Sequence, residues 1–95
     1  MTEPSQVVDN PDANRFELTV DGHTAELTYQ RVGDRLVLEH TGVPTELEGK
    51  GIGGVLVTAA VDEAAARGEA LLVNCEFARG WLARHPEVAE RVTLV

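Results

Sequence analysis

Cysteine is almost absent from this chain of 95 residues. Cys75 stands alone, so no internal disulfide can form. Aromatic side chains are scarce as well: Phe16, Tyr29, Phe77 and Trp81 are all there are, which leaves the core to Val, Leu and Ala. Basic residues are few. Eight Lys and Arg face sixteen Asp and Glu, giving a net charge of −8. Nucleic-acid affinity rests on cations that displace condensed counterions, so a phosphate backbone would repel this chain. Nor is there a basic stripe for an anionic membrane. No apolar run approaches the roughly 20 residues needed to cross a bilayer. The first residues, MTEPSQVVDNPDAN, lack the basic start and apolar stretch of a secretory signal. A reduced, cytoplasmic setting is the expectation. The acidic surface keeps the protein soluble and would favour a cationic partner, such as an amine or a basic protein.

What remains is an ordinary globular composition, 43% hydrophobic and 25% charged. A chain of this size folds as one domain around one modest core. Residues 1–14 are rich in Pro, Asp and Asn and are expected to form a flexible tail, with a single domain over 15–95. Phe16, Leu18 and Val20 alternate with Glu17, Thr19 and Asp21, the period of a half-buried strand. Asp21-Gly22 suits a type I′ hairpin turn, in which both positions need positive φ. Ala25, Leu27 and Tyr29 continue the alternation in the return strand. After Gly33-Asp34, a third strand runs from Leu36 to Thr41 and is broken by Gly42 and Pro44. Next, Ile52, Leu56, Ala59, Ala60 and Ala64 share a helix face, with Gly68 as the stop. Ala70–Cys75 reads as a buried strand that returns parallel to the third by a helical crossover. Phe77, Ala78, Trp81 and Leu82 have helical spacing, with Phe77 and Trp81 expected in the core. His85-Pro86 ends that helix, and Glu87–Leu94 is expected to be a short helix or turn. The order βββ-α-β-α defines an α+β fold with a mixed sheet, in which the third and last strands lie side by side and diverge toward Gly42 and Cys75.

Between the third strand and the helix stands Val43-Pro-Thr-Glu-Leu-Glu-Gly-Lys-Gly-Ile-Gly-Gly-Val55. Gly49, Gly51, Gly53 and Gly54 are poor helix formers, each costing about 1 kcal/mol against alanine in a helix interior. Such a cluster at a helix start points to a close backbone approach. The first four N–H groups of a helix have no internal acceptor, and the dipole favours an anion there. Lys50 adds a movable cation, so a phosphorylated ligand is indicated. The segment is not a Walker A loop, because Lys50 is followed by Gly51 and not by Ser or Thr. Gly49, Gly51 and Gly54 satisfy G-x-G-x-x-G, but the preceding strands are antiparallel and no second βαβ unit follows, against a dinucleotide fold.

This strand–turn–helix resembles the acetyl-CoA site of the GCN5-related N-acetyltransferases, whose pattern is Gln/Arg-x-x-Gly-x-Gly/Ala. Glu48-Gly49-Lys50-Gly51-Ile52-Gly53 follows it except at Glu48, where Gln or Arg is usual. The chain is more closely similar to a small YjdJ-type subfamily through Asp21-Gly22, Leu36-x-Leu38-x-His40-Thr41-x-Val43-Pro44 and Cys75-x-Phe77-x-x-x-Trp81. The resemblance implies a minimal acyl-CoA N-acyltransferase fold and an acetyl-CoA or coenzyme A ligand. It implies a cofactor site at Val43, Glu48, Gly49, Lys50, Gly51, Ile52, Gly53 and Gly54. It leaves the acceptor unnamed, an amine or a basic protein.

Cys75 and His40 are the candidate catalytic residues. A thiol at the end of a strand and the start of a helix could accept an acetyl group and pass it on. Strict alternation along the third strand puts His40 on the face of Leu36 and Leu38, where it could act as general base. Glu39, on the opposite face, is the rival base for direct transfer. The three histidines and Cys75 lack metal-ligand spacing, and no metal is expected. Two other readings remain open: a coenzyme A binder without turnover, and an acidic protein-interaction module.

Overall fold

The structure is a computed structural model that describes residues 2–95. Five strands form one sheet in the order β1-β2-β3-β4-β5: β1 Val8–Asn10, β2 Arg15–Val20, β3 His23–Val32, β4 Arg35–Gly42 and β5 Ala70–Val73. The first three pairings are antiparallel, and β4 with β5 is parallel. Helix α1 (Ile52–Arg67) connects that parallel pair, followed by α2 (Glu76–Arg84) and α3 (Pro86–Ala89). The mixed sheet with its single helical crossover is the expected fold class. Asp21 and Gly22 both take positive φ, 51° and 80°, as the hairpin demands. Gly68, at φ 70°, ends α1 and donates back to Ala64 and Ala65.

One face of the sheet carries the core. Phe16, Leu18, Ala25, Leu27, Tyr29, Leu36, Leu38 and Leu71 meet Leu56, Val57, Ala60, Val61 and Ala64 of α1, with Ala78 and Leu82 of α2 in the same cluster. The alternate positions, among them Glu17, Thr19, Glu26 and Thr28, remain half-buried or exposed. Water on one face is the usual state of an antiparallel sheet.

The two ends of the chain depart from expectation. Met1 lies outside the described residues. The rest of the segment 1–14, expected as a flexible tail, adds an edge strand, with Val8–Asn10 paired to Arg15–Glu17. Distant side chains hold it there. Tyr29 donates its hydroxyl proton to the Asp9 carboxylate, and Asn10 donates to Glu17 at 3.2 Å. At the other end, Glu87–Leu94, expected as a short helix or turn, is a helix to Ala89 and a turn at Glu90 and Arg91. Thr93–Val95 then runs along β5: the Leu71 N–H donates to Thr93 at 2.8 Å, and the Val95 N–H to Leu71 at 3.0 Å. The last strand is also shorter than expected. It stops at Val73, and Cys75 is the N-cap of α2.

Arg31 fastens the end of β3 to the loop before β5. Its guanidinium donates to Glu69 at 3.0 Å and lies 3.9 Å from both Asp9 and Glu63. Burial alone would lower the Arg31 pKa, but its hydrogen bonds to Glu69 and Tyr29 outweigh that and hold it above the ordinary value. For Tyr29, burial and then the Asp9 carboxylate push the phenol above its ordinary value of 10.0. The fold thus favours the neutral phenol. Its contribution to stability is complete below that ordinary value and is lost as pH rises through the higher folded one. The only tyrosine in the chain should therefore titrate above 10 in an alkaline absorbance titration. Tyr29→Phe should flatten the fall in melting temperature that sets in as pH rises past about 10. A tyrosine midpoint at or below the ordinary value would contradict this assignment.

Candidate active site

The site begins where β4 and β5 stop pairing. Their ladder runs from Arg35↔Ala70 to Leu38↔Val73, and a last bond joins the Asn74 N–H to Leu38 at 2.9 Å. β4 continues to Gly42, paired only with β3. On the β5 side, its backbone beyond Leu38 has no strand partner. The ladder ends because β5 ends: β5 is paired over its whole length and β4 outruns it, where the two strands had been expected to diverge toward Gly42 and Cys75.

The register of β4 on β3 slips at the same place. Tyr29 pairs with Leu38, but Thr28 pairs with His40, so Glu39 is an extra residue with no partner. Such a bulge bends the strand and breaks the alternation of faces. One expectation about facing fails for this reason. His40 does not share the face of Leu36 and Leu38. It lies opposite Thr28 on the outer face, exposed, and its carbonyl accepts from the Thr28 hydroxyl at 3.3 Å. Thr41 takes the inward place, opposite the buried Leu27. There its Oγ1 lies 3.2 Å from Cys75 Sγ. Glu39 is exposed at the bulge. The fold thus brings Cys75 together with Thr41. Cys75 itself is 4% exposed.

Next to this gap, a groove of about 330 Å³ is lined by Val43, Leu47, Glu48, Gly49, Gly51, Gly53, Gly54, Phe77 and Trp81. That volume lies at the lower end for small-molecule sites. Leu47, 1% exposed, anchors the loop that enters the glycine turn. Burying such a side chain contributes roughly 1.5–3 kcal/mol. Gly49 and Gly51 take φ of 79° and 74°, the left-handed region that glycine enters without strain, and a Cβ at either would meet nothing within 4 Å. The turn therefore presents bare backbone to open space at the start of α1, as an anion site requires. Lys50, the sole lysine, is exposed beside the turn and does not line the groove. Ile52 is 1% exposed, so its side chain belongs to the core and only its backbone can serve a ligand.

Gly53 and Gly54 have a different cause. A Cβ on Gly53 would come within 2.5 Å of the Phe77 ring, and one on Gly54 would strike the Trp81 indole. These two glycines let α2 lay its aromatic side chains against the first turn of α1. Phe77, expected in the core, is 42% exposed and forms part of the groove wall. Trp81 stacks on His85 with ring centroids 3.9 Å apart. The i, i+4 spacing of Phe77 and Trp81 marked a helix face, but not that the face borders a groove. Among the described residues, no group of three or more His, Cys, Asp or Glu side chains could hold a metal ion. Among them, too, no helix is long and apolar enough to cross a membrane.

The sequence model of the family described as GCN5-related N-acetyl-transferase matches residues 15–92. The chain belongs to that family. Among solved structures, it is similar to the NMR solution structure of a GCN5-like protein from Staphylococcus aureus to which N-acetyltransferase activity has been ascribed. The two share 26% identity, the match covers 100% of this chain and 93% of that one, and the TM-score is 0.71. A search of curated proteins found no match.

The two roles of the glycines can be separated by mutation. Gly53→Ala forces its methyl group into the Phe77 ring, and overpacking of this kind costs typically about 1–3 kcal/mol. Chemical denaturation should show that loss without any ligand present, and Phe77→Ala in the same chain should recover part of it. Additive losses in the double variant would remove the packing role assigned to Gly53.

Proposed function

We propose that this protein binds acetyl-CoA along the groove and transfers the acetyl group to an amine, with Cys75 as the nucleophile that first accepts it. The carrying observation is the early end of the β4–β5 ladder at Leu38 and Val73, beside the groove of the glycine turn. Family membership supports acetyl transfer as the general chemistry.

Acetyl-CoA is the co-substrate and supplies an activated thioester. Backbone N–H groups from Gly49 to Gly54 receive its phosphates, helped by the positive end of α1. Lys50 contributes a screened, movable charge. The unpaired backbone of β4 beyond Leu38 holds the extended arm as an added strand would. Val43 and Phe77 line the groove. Cys75 lies two residues before Phe77 and ends the route of the acetyl group. The net charge of −8 suits a cationic acceptor, an amine or a basic protein. In this reading His40, on the outer face of the sheet away from Cys75, takes no part in the transfer.

A second reading, coenzyme A binding without turnover, has one observation in its favour: Cys75 is only 4% exposed. Mass spectrometry of the intact protein with acetyl-CoA separates the two. The transfer reading expects a noncovalent complex under native conditions and one added acetyl group on Cys75. Cys75→Ala should bind acetyl-CoA as the wild type does, yet lose self-acetylation and turnover. A complex without acetylation, and an active Cys75→Ala variant, would each remove Cys75 from the mechanism. No complex at all would remove the cofactor reading. Lys50→Ala should weaken binding by less than about tenfold, an effect that fades at high salt because exposed charges are screened.

A further inference from the structure

We propose that Thr41 is a positioning residue for acyl capture, its hydroxyl holding the Cys75 sulfur across the gap between β4 and β5. The inference rests on the Cys75 route above. Beyond the Asn74–Leu38 bond, the described contacts between the two chains pass to side chains, and the Thr41 Oγ1 to Cys75 Sγ contact at 3.2 Å is the one that spans them at the sulfur. No other hydrogen bond of the Thr41 hydroxyl occurs among the described residues. It is inward at all only because Glu39 is bulged out; unbroken alternation would turn position 41 to the outer face.

The geometry fixes both partners. A β-branched side chain on a strand has a restricted χ1, so the hydroxyl direction is largely set by the backbone. Cys75 is held from the other side, because its carbonyl accepts the Arg79 N–H at 2.9 Å in the first turn of α2. Val43 and Phe77, each two residues further along its chain, line the groove. The threonine–cysteine pair therefore lies two residues along the chain from each of these wall residues, without lining the groove itself.

In the first half-reaction, the Cys75 sulfur bonds to the acetyl carbon. The bond from that carbon to the coenzyme A sulfur breaks, and the thiol proton goes to the departing sulfur. In the second, the amine nitrogen bonds to the acetyl carbon, the bond to Cys75 breaks, and an amine proton returns to the Cys75 sulfur. Nothing is oxidised or reduced. In both halves charge builds on the Cys75 sulfur, and the Thr41 hydroxyl donates to it. A hydrogen bond to a charged group is among the stronger ones in proteins.

The test compares Thr41→Val, which keeps the shape and removes the hydroxyl, with Thr41→Ser, which restores it. Coenzyme A affinity by calorimetry should be the same in both and in the wild type. The rate of Cys75 acetylation by acetyl-CoA should fall roughly 10- to 100-fold in Thr41→Val, the range for a lost hydrogen bond to a charged partner. It should largely return in Thr41→Ser. The chain has one thiol, so its infrared S–H stretch is a single band; it should shift in Thr41→Val and return in Thr41→Ser. Wild-type acetylation kinetics in Thr41→Val would overturn the proposal, and so would equal losses in both variants, which would mark a packing role. If the wild type binds coenzyme A but is never acetylated on Cys75, the proposal falls together with the Cys75 route, a result distinct from either of these.

Discussion

One unpaired residue in β4 organises the site. Glu39 has no partner in β3, and at the neighbouring Leu38 the ladder with β5 ends. A strand that gains a residue bends, and its side chains exchange faces from that point. Thr41 therefore faces Cys75, and His40 faces water. β5 stops at Val73 and Cys75 caps α2, so among the described residues the β4 backbone beyond Leu38 has no partner strand on that side. That stretch runs toward Val43, which lines the groove.

The second constraint is the contact between the first turn of α1 and the aromatic face of α2. It divides the glycine motif into two halves with separate physical causes. Gly49 and Gly51 are demanded by backbone angles of 79° and 74°, whereas Gly53 and Gly54 are demanded by the Phe77 and Trp81 rings. A side chain in the second half would move α2 and with it the groove wall. Groove lining and helix packing thus meet within Gly49–Gly54.

Much of this was legible in the sequence because it follows from local rules. Alternation located β2 and β3, positive-φ chemistry placed the turn at Asp21-Gly22, and an apolar helix face bounded by glycine located α1. The glycine turn itself was legible as bare backbone at a helix start. The facing of His40 was not. Counting by twos assumes an unbroken ladder, and no residue type in Leu36–Gly42 announces the insertion. A hint lay in the apolar run Leu36-Val37-Leu38, all three buried, which already departs from alternation. The edge strand Val8–Asn10 was illegible for another reason. Its composition is that of a tail, and its place is decided by Tyr29, Arg31 and Glu17, which only the folded chain brings near. The seat of the Phe77 ring against α1 likewise depends on the missing side chain at Gly53, a relation between two helices that neither one shows alone.

The short segments at both borders of the sheet bear on how the molecule behaves in company. Val8–Asn10 covers the free side of β2, and Thr93–Val95 runs along the free side of β5. A bare strand border is a template on which other chains can pair, and proteins commonly blunt it with very short strands. Each of these borders is closed by only three residues, held by a few hydrogen bonds and, at β1, by the Tyr29–Asp9 contact. Loosening either one would uncover a longer strand with apolar neighbours. Self-association and turbidity would then begin while the core was still folded, so that colloidal stability rests on the two least substantial pieces of the sheet.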